Sequence, residues 1–334
     1  MLAAVLKDKQ KLALEEIPMG VLKKDEVRVK VKYCGICGSD LSRYVQGIHP
    51  GLILGHEFSG IIEETGKDVK TWQKGDRVVI NPMPFCKQCF QCRSGATNLC
   101  AMGLTGIGLE TPGAFAQYCS VSQDMLYSLP PQMDFAGGAL VEPAAVILHA
   151  IRRSKIGIGD SAIIFGAGPL GLITIKYLKN MGITPLVVIE PDPPRARLAT
   201  EFGADHVFTK EVDRQFLENL FRVKGGSDVI FECSGTAPAL NLSLEFVRPG
   251  GTGVLVGVSR VPLEVLMRSV VTKEINLLGA LAYTTDFQQA IQFLERGVIS
   301  PKELVSEIVP LKEIDAAFRR CLGQGKPLKV LVEP

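Results

Sequence analysis

The chain has 334 residues, of which 46% are hydrophobic and 22% are charged, a composition close to that of an average globular protein. The composition excludes a disordered, collagen-like or coiled-coil protein, and the length predicts two domains rather than one. Lys and Arg number 37 against 35 Asp and Glu, and a net charge of +2 provides no electrostatic basis for binding nucleic acid or an anionic membrane.

No segment resembles a membrane span or a targeting signal. The longest apolar stretch without a charge lies between Asp160 and Lys176, contains three glycines and a proline, and is too short to cross a bilayer. The apolar start of the chain is followed at once by Lys7, without a cleavage site of small residues. Nine cysteines, an odd number, favour a reducing compartment and metal binding or catalysis over disulfides. We therefore expect a cytoplasmic protein with no membrane partner.

The first part of the chain, residues 1–130, has mostly β character. Residues 27–33 alternate apolar and basic side chains with the period of a half-buried strand, and residues 76–80 predict another strand. Residues 81–113 contain prolines, glycines and a cysteine cluster with little periodicity, which predicts a loop-rich lobe. Helical spacing of apolar residues then begins at Pro143 and continues to Ile156.

Residues 161–258 alternate short apolar strands with segments of helix length. This alternation predicts a parallel sheet with helices on both faces. The predicted strands are 162–165, 186–189, 228–231 and 254–258, and one further strand is predicted at 328–332 near the C-terminus.

A glycine-rich turn follows the first of these strands and opens a helix with the sequence Gly166-Ala167-Gly168-Pro169-Leu170-Gly171. It fits the dinucleotide-binding pattern G-x-G-x-x-G, in which the glycines permit a tight turn, close approach of a pyrophosphate and close helix–strand packing. Glu190 ends the next strand, where a carboxylate accepts hydrogen bonds from the adenosine ribose. The alternative is a structural glycine turn and a surface glutamate.

The residues around Glu190 also bear on the type of dinucleotide. A carboxylate at this position repels a 2′-phosphate, so NAD is favoured over NADP. Arg195 and Arg197 follow closely and could bind such a phosphate, although Arg195 could instead stack on adenine. Both are equally compatible with ordinary exposed arginines.

Four of the nine cysteines, namely Cys86, Cys89, Cys92 and Cys100, fall within 15 residues. Zinc prefers four thiolates in a tetrahedron, and a closed site of this kind is structural because it leaves no position for a substrate. Four crowded free thiols would be reactive, and an iron–sulfur cluster is the remaining alternative.

A second set of potential metal ligands is spread along the chain, and it comprises Cys37, His56, Glu57 and Glu142. Each residue is a weak signal alone, since a lone cysteine is usually a small buried hydrophobe. Cys34 and Cys37 also match a redox C-x-x-C pair, but the alternating strand before them is not the context of a thioredoxin-like site.

Together these segments resemble the zinc-containing medium-chain dehydrogenases of the alcohol and sorbitol dehydrogenase family. The segments occur in the family's order and are CGICGSD (34–40), GHEFSG (55–60), the cysteine lobe (86–100), GAFAQY (113–118), VEPAAVILHAIRRS (141–154) and GAGPLG (166–171). Glu142-Pro143 is similar to the polyol, sorbitol and butanediol dehydrogenase branch. Leu41-Ser42-Arg43 also looks like galactitol-phosphate dehydrogenases.

The resemblance implies an α/β fold of two domains. The first is a GroES-like β-barrel catalytic domain of residues 1–150, completed by residues 280–334. The second is a Rossmann cofactor domain with a doubly wound parallel sheet, residues 151–279. The resemblance also implies a homodimer or homotetramer, and an edge strand near residues 254–258 could continue the sheet across two subunits.

The same resemblance implies two zinc ions per chain and NAD as the cofactor. Cys37, His56 and Glu57 would bind the catalytic zinc, with Glu142 as a fourth ligand or as the partner of bound water. Such a zinc lowers the pKa of a bound alcohol, and a hydride then passes to the nicotinamide in a dry cleft between two domains. Ser39 would begin a proton relay together with the catalytic glutamates, or it is a turn serine, and Asp40 would orient His56.

The resemblance also implies further cofactor and substrate residues, and at some positions this sequence differs from the family pattern. Gly257, Val258 and Leu281 match segments that line the nicotinamide in relatives, and Leu170 lies within the glycine-rich turn that would bind the pyrophosphate. Tyr283 aligns with a substrate-site tyrosine, but Ala282 stands where sorbitol dehydrogenases have an arginine, which makes sorbitol itself doubtful. Ser42 replaces the histidine that often ends the relay. Arg43 is either a ligand for a substrate phosphate or distal hydroxyl, or an exposed charge.

Three functions are therefore weighed. The first is an NAD-dependent zinc dehydrogenase that oxidises a polyol, a vicinal diol or a sugar-alcohol phosphate. The second is an NADPH-dependent carbonyl reductase, which Glu190 opposes, and the third is a catalytically inactive nucleotide-binding protein, which the complete ligand set opposes. All three expect a small-molecule ligand and no nucleic acid.

Overall fold

The fold comes from a computed structural model that describes residues 1–102, 106–209, 211–259 and 261–334. The chain divides into two compact units, one formed by Met1–Pro143 with Thr284–Pro334 and the other by Ala144–Tyr283. The domain bounds expected from the sequence stay predictions. No helix within the described residues is both long enough and apolar enough to cross a membrane.

The elements are numbered along the chain. The strands are β1 (Leu2–Asp8), β2 (Lys11–Glu16), β3 (Glu26–Gly35), β4 (Glu57–Thr65), β5 (Arg77–Ile80), β6 (Tyr118–Ser122), β7 (Leu126–Ser128), β8 (Ala162–Phe165), β9 (Leu186–Ile189), β10 (His206–Phe208), β11 (Ser227–Glu232), β12 (Val247–Leu255), β13 (Asn276–Gly279), β14 (Val305–Pro310) and β15 (Lys329–Glu333). The helices are α1 (Gly38–Gln46), α2 (Phe90–Arg93), α3 (Phe135–Ala139), α4 (Val141–Ser154), α5 (Pro169–Asn180), α6 (Pro193–Glu201), α7 (Arg214–Leu220), α8 (Ala237–Phe246), α9 (Arg268–Thr272), α10 (Asp286–Glu295), α11 (Pro301–Leu304) and α12 (Ile314–Leu322). Short 3₁₀ turns lie at Thr97–Leu99, Gln123–Met125 and Leu311–Glu313.

The first unit is built on a seven-stranded sheet with the order β14-β15-β3-β4-β5-β7, in which β6 also pairs with β3. The alternating segment 27–33 lies inside β3, as predicted. Antiparallel pairing of β3 and β4 sets Gly35 opposite Glu57, and β15 pairs with the same end of β3. The end of β3, the start of β4 and the start of β15 therefore meet at one place.

The C-terminal segment completes the core of this unit. Phe318 of α12 packs against Tyr44 of α1, with ring centroids 5.0 Å apart, and against Phe115 at 5.7 Å. All three side chains are fully buried. Tyr44 also donates a hydrogen bond to Asp315 Oδ1 at 2.9 Å. Burial of aromatic rings supplies much of the stabilisation of such a core, and it fixes α1 next to the sheet.

The second unit contains a six-stranded parallel sheet with the order β10-β9-β8-β11-β12-β13, which confirms the predicted parallel sheet. The predicted strands 162–165 and 186–189 match β8 and β9 residue for residue. Their continuous apolar runs reflect burial on both faces, as expected of parallel strands. The strand order reverses between β8 and β11, the position at which such sheets bind ligands.

The prediction for residues 254–258 is wrong in its extent and in its place. The strand runs from Val247 to Leu255. The prediction missed its first part because Gly250, Gly251 and Gly253 interrupt the apolar pattern by which strands are recognised in a sequence. It is also an interior strand, since β13 pairs with its outer side. The four residues of β13 show no alternation that could have revealed them.

Candidate active site and metal centres

Asp40 holds together two of the segments that carry potential metal ligands. It is fully buried in the first turn of α1, and its Oδ2 accepts the backbone N–H of Cys37 at 2.9 Å. Its Oδ1 accepts the N–H of Gly55 at 3.3 Å and lies 3.4 Å from His56 Nδ1. One carboxylate therefore fixes the start of α1 against the segment that precedes β4.

The structure brings together Cys37, His56 and Glu57, whose potential ligand atoms lie within 4.8 Å of one another. His56 is 5% exposed and its Nδ1 makes no hydrogen bond among the described residues. Burial opposes a charge on its imidazole, but the nearby Asp40 and Cys37 outweigh burial and raise the pKa of His56 well above its usual range. One thiolate, one imidazole and one carboxylate fit zinc and leave a coordination position open.

Lys329 is a member of this site that sequence reasoning missed. The residue begins β15 and is 4% exposed. Its Nζ contacts Glu57 Oε2 and donates to the carbonyl oxygen of Ile36 at 3.1 Å. A Cβ on Gly35 would lie 2.2 Å from Glu57 Oε2, so the space for this contact exists only beside a glycine. No sequence motif links residues that are 272 positions apart.

Glu142 and Ser39 lie in the same unit but outside the three-ligand group. Glu142 is the second residue of α4 and is 8% exposed. Burial, with a further contribution from Glu57, raises the pKa of Glu142 to about 7. The Oγ of Ser39 is buried and makes no hydrogen bond within the described part of the chain. A buried hydroxyl without a partner is rare, which fits a group that hydrogen bonds to a ligand.

The four cysteines of the lobe also meet. Their sulfurs lie within 4.8 Å of one another, and Cys86 Sγ lies 3.8 Å from Cys92 Sγ. Four sulfurs at ~2.3 Å from one ion in a tetrahedron are roughly 3.8 Å apart. The backbone N–H groups of Ala101 and Cys92 each lie 3.5 Å from Cys89 Sγ, and they lower the pKa of Cys89 to about 6. Burial and the neighbouring Cys89 raise the pKa of Cys92, so the lowered pKa belongs to Cys89 and not to the whole set. The spacing of the four sulfurs is what fits a closed zinc site.

The glycine turn and Glu190 lie together in the second unit. Gly166 has a φ of +96°, and a Cβ on Gly171 would lie 1.9 Å from the oxygen of Gly166, so both positions require glycine. Glu190 Oε2 accepts the N–H of Ala167 at 2.6 Å. Arg195 Nη1 lies 3.8 Å from the place of a Cβ on Gly168. A carboxylate and a guanidinium thus flank the N-terminus of α5, where backbone N–H groups suit a pyrophosphate.

The remaining predicted contacts are scattered over the two units. In the second unit, Gly257 and Val258 follow β12, Val258 and Leu281 are exposed, and Tyr283 is buried. In the first unit, Arg43 Nε donates to the carbonyl oxygen of Leu109 at 3.2 Å, and its Nη2 lies 3.6 Å from Glu110 Oε1. Arg43 is therefore not the free exposed charge that sequence reasoning kept open.

Comparison with known proteins finds two family models along the chain. Residues 23–131 match the family model of the alcohol dehydrogenase GroES-like domain, and residues 169–296 match that of the zinc-binding dehydrogenase. The (R,R)-butanediol dehydrogenase of Bacillus subtilis (strain 168) is 34% identical over all of this chain and all of the relative. This chain belongs to the zinc-binding alcohol dehydrogenase family. It is an oxidoreductase that acts on CH–OH groups, since its relatives are named as dehydrogenases of diols and polyols.

Solved structures of the family have the same fold. The galactitol-1-phosphate dehydrogenase of Escherichia coli is 28% identical with a TM-score of 0.92, covering 100% of both chains. A zinc-binding dehydrogenase of Sinorhizobium meliloti 1021, bound to NADP, is 30% identical with a TM-score of 0.92 and covers 100% of this chain and 99% of its own. These likenesses confirm the predicted resemblance and the predicted combination of a GroES-like domain with a Rossmann-type sheet.

Proposed function

We propose that this chain is an NAD-dependent dehydrogenase with one catalytic and one structural zinc, which oxidises the secondary alcohol of a polyol, a vicinal diol or a sugar-alcohol phosphate. The observation that carries the proposal is the convergence of Cys37, His56 and Glu57, whose ligand atoms lie within 4.8 Å of one another. Family membership supports the reaction class, and the residues below support the finer assignment.

The proposed catalytic zinc would be held by Cys37, His56 and Glu57, and when bound it would lower the pKa of a substrate hydroxyl. Asp40 keeps the imidazole and the start of α1 in place. Such a carboxylate behind a histidine ligand sets its orientation and raises its basicity. Lys329 holds one oxygen of Glu57, so the geometry of this carboxylate is governed by a neighbouring ammonium group.

Proton transfer is assigned to Ser39 and Glu142. The Ser39 Oγ has no partner of its own among the described residues, so it can accept a hydrogen bond from the substrate hydroxyl and take its proton as it passes its own proton on. Burial raises the pKa of Glu142 when no metal is bound, which suits a group that takes up a proton. We retain it as a fourth zinc ligand or the partner of bound water. Ser42 or water would complete the path to solvent.

NAD is assigned to the second unit, with the pyrophosphate at Gly166, Gly168, Leu170 and Gly171, and with Gly257, Val258 and Leu281 toward the nicotinamide. Glu190 faces the glycine turn and carries the negative charge that disfavours a 2′-phosphate. Arg195 lies next to Gly168, where it would contact the adenosine part. NAD binds as the hydride acceptor in this scheme.

The contacts of Arg43 favour neutral substrates over phosphorylated ones. Arg43 already faces the carbonyl of Leu109 and the carboxylate of Glu110, so a substrate phosphate would compete with Glu110 for the guanidinium. Neutral polyols and diols are therefore placed ahead of phosphorylated ones, with Tyr283 as a further substrate residue. The expected cytoplasmic location and the homodimer or homotetramer stay predictions.

One experiment tests the assignment as a whole. Zinc is measured per chain by mass spectrometry, and a panel of diols, pentitols, hexitols and their phosphates is screened with NAD and with NADP by the absorbance of the reduced cofactor. We expect two zinc ions and turnover with NAD. Turnover only with NADP, or only of the corresponding ketones with NADPH, would favour the carbonyl reductase. The zinc-binding dehydrogenase of Sinorhizobium meliloti is a precedent for NADP binding on this fold. A single zinc and no turnover would indicate an inactive nucleotide-binding protein.

A further inference from the structure

Glu232 is a buried carboxylate for which the proposed chemistry has no use. It is the last residue of β11 and is 2% exposed. Within the described residues no Lys, Arg or His forms an ion pair with it, and its oxygens are met by neutral donors. Burying a charge is costly unless it is well hydrogen bonded, so a carboxylate in this position calls for a physical reason.

The hydrogen bonds of Glu232 fasten two separate segments. Its Oε1 accepts the N–H of Ser234 at 2.8 Å and that of Gly235 at 3.0 Å, and it also accepts the Ser234 hydroxyl. Its backbone oxygen accepts the N–H of Val256 at 2.9 Å and that of Gly257 at 2.8 Å. One residue therefore binds the turn after β11 to the segment after β12.

The two segments are in direct contact and tolerate no extra atom. A Cβ on Gly257 would lie 2.2 Å from the nitrogen of Gly235 and 2.9 Å from Glu232 Oε2. Gly235 has a φ of +70°, a conformation that favours glycine. The carboxylate holds the turn at Ser234 and Gly235, and Gly257 packs directly against that turn.

These segments lie where the parallel sheet binds its ligand. Glu232 ends β11, the neighbour of β8, and the strand order reverses between these two strands. A Cβ on Gly166, at the end of β8, would lie 3.4 Å from Ser234. In doubly wound sheets a dinucleotide crosses this switch point, with one mononucleotide over each half of the sheet. Glu190 directly follows β9 on the adenosine side, which leaves β11 and β12 to the nicotinamide side.

We propose that Glu232 is a positioning residue for the nicotinamide half of the cofactor, and that its unneutralised charge favours the oxidised, cationic ring over the reduced, neutral one. The inference rests on the proposed NAD site. The hydrogen bonds act on both forms of the cofactor, because they fix the segments that meet it. The charge attracts only the cation, and this attraction is strong where water is excluded.

Glu232→Gln removes the charge, while an amide oxygen in the place of Oε1 can still accept from Ser234 and Gly235. The second contact of the Gly235 N–H, to Oε2 at 3.0 Å, is lost in this variant. Dissociation constants for NAD⁺ and NADH are measured by fluorescence on the zinc-loaded enzyme. We expect the ratio of the NAD⁺ constant to the NADH constant to rise roughly tenfold. Glu218→Gln is the matched control, since it removes the same charge from an exposed position of α7 and should leave the ratio unchanged.

Glu232→Asp provides a second test that does not depend on how well the first variant folds. It keeps the charge but shortens the reach to the turn, so both constants should rise while their ratio stays near that of the parent. A ratio that is unchanged in Glu232→Gln, or shifted equally by Glu232→Asp, overturns the inference while leaving the NAD site intact. Failure of the parent enzyme to bind NAD⁺ and NADH overturns the proposed function as well.

Discussion

The two candidate metal centres of the first unit are built in opposite ways. The lobe takes all four sulfurs from residues 86–100, and its cysteines are contained in one surface loop. The other centre takes its ligands from the start of α1 and the start of β4, and it adds Asp40 and Lys329 around them. A centre that is local in sequence organises its own loop, whereas a centre assembled from distant elements depends on the fold that carries it. The first kind is suited to structure and the second to chemistry.

The largest effect is expected where the chemistry depends on one ligand. Cys37→Ser replaces the thiolate with a weak ligand, so turnover should fall at least about a thousandfold while one zinc per chain is lost. Because the site is held by the rest of the fold, the unfolding temperature should change little. Kinetics, zinc analysis and thermal unfolding of the same preparation check this. Turnover near that of the parent would contradict the role of Cys37.

The matching change in the lobe should do the reverse. Cys89→Ser opens the four-sulfur site, and binding energy at such a site is folding energy, so we expect a loss of roughly 4 kcal/mol or more in the free energy of unfolding. Urea unfolding in the presence of zinc measures the loss. Unchanged stability would mean that the lobe does not depend on a metal, and Cys321→Ser, outside both centres, is the control.

The residues behind the ligands provide a finer test. Asp40→Asn keeps the size of the side chain but removes the charge next to His56, and loss of such a partner typically weakens metal binding 10- to 100-fold. Competition with a chelator should show weaker binding of one zinc only, with the lobe unaffected. Equal weakening of both ions would show that Asp40 acts on the whole unit and not on one centre.

The smallest effect is expected at a charged cluster that lies outside both candidate metal centres. Asp228 in the second unit accepts from Ser161, Lys224 and Arg248. Burial opposes its charge, but these hydrogen bonds outweigh burial and lower the pKa of Asp228 to about 2. Since the folded pKa lies below the unfolded value, the carboxylate stabilises the fold above about pH 4, and this contribution of about 2 kcal/mol is lost as the pH falls toward 2. Urea unfolding of the parent and Asp228→Asn at pH 6 and pH 3 should show a smaller difference at pH 3.

The same contrast explains how much could be read from the residues alone. Spacing identified the lobe and the glycine turn, because each motif is contiguous and its ligands meet by local geometry. Strands β8 and β9 were predicted to the residue, since a continuous apolar run between turns has few other meanings. The strand β12 was misplaced because glycines break its pattern, and β13 was missed for lack of one.

The sequence by itself determined the donor atoms available to a metal, the dinucleotide-binding turn and the acidic residue that follows it. These features depend only on residue type and on local spacing along the chain. Tertiary structure alone decided that Lys329 reaches Glu57, that Arg43 faces Glu110 and that Glu232 joins two segments after neighbouring strands. Contacts of this kind depend on strand order and register, which arise from packing over the whole unit. No local pattern encodes the distance between residues that only the folded sheet makes neighbours.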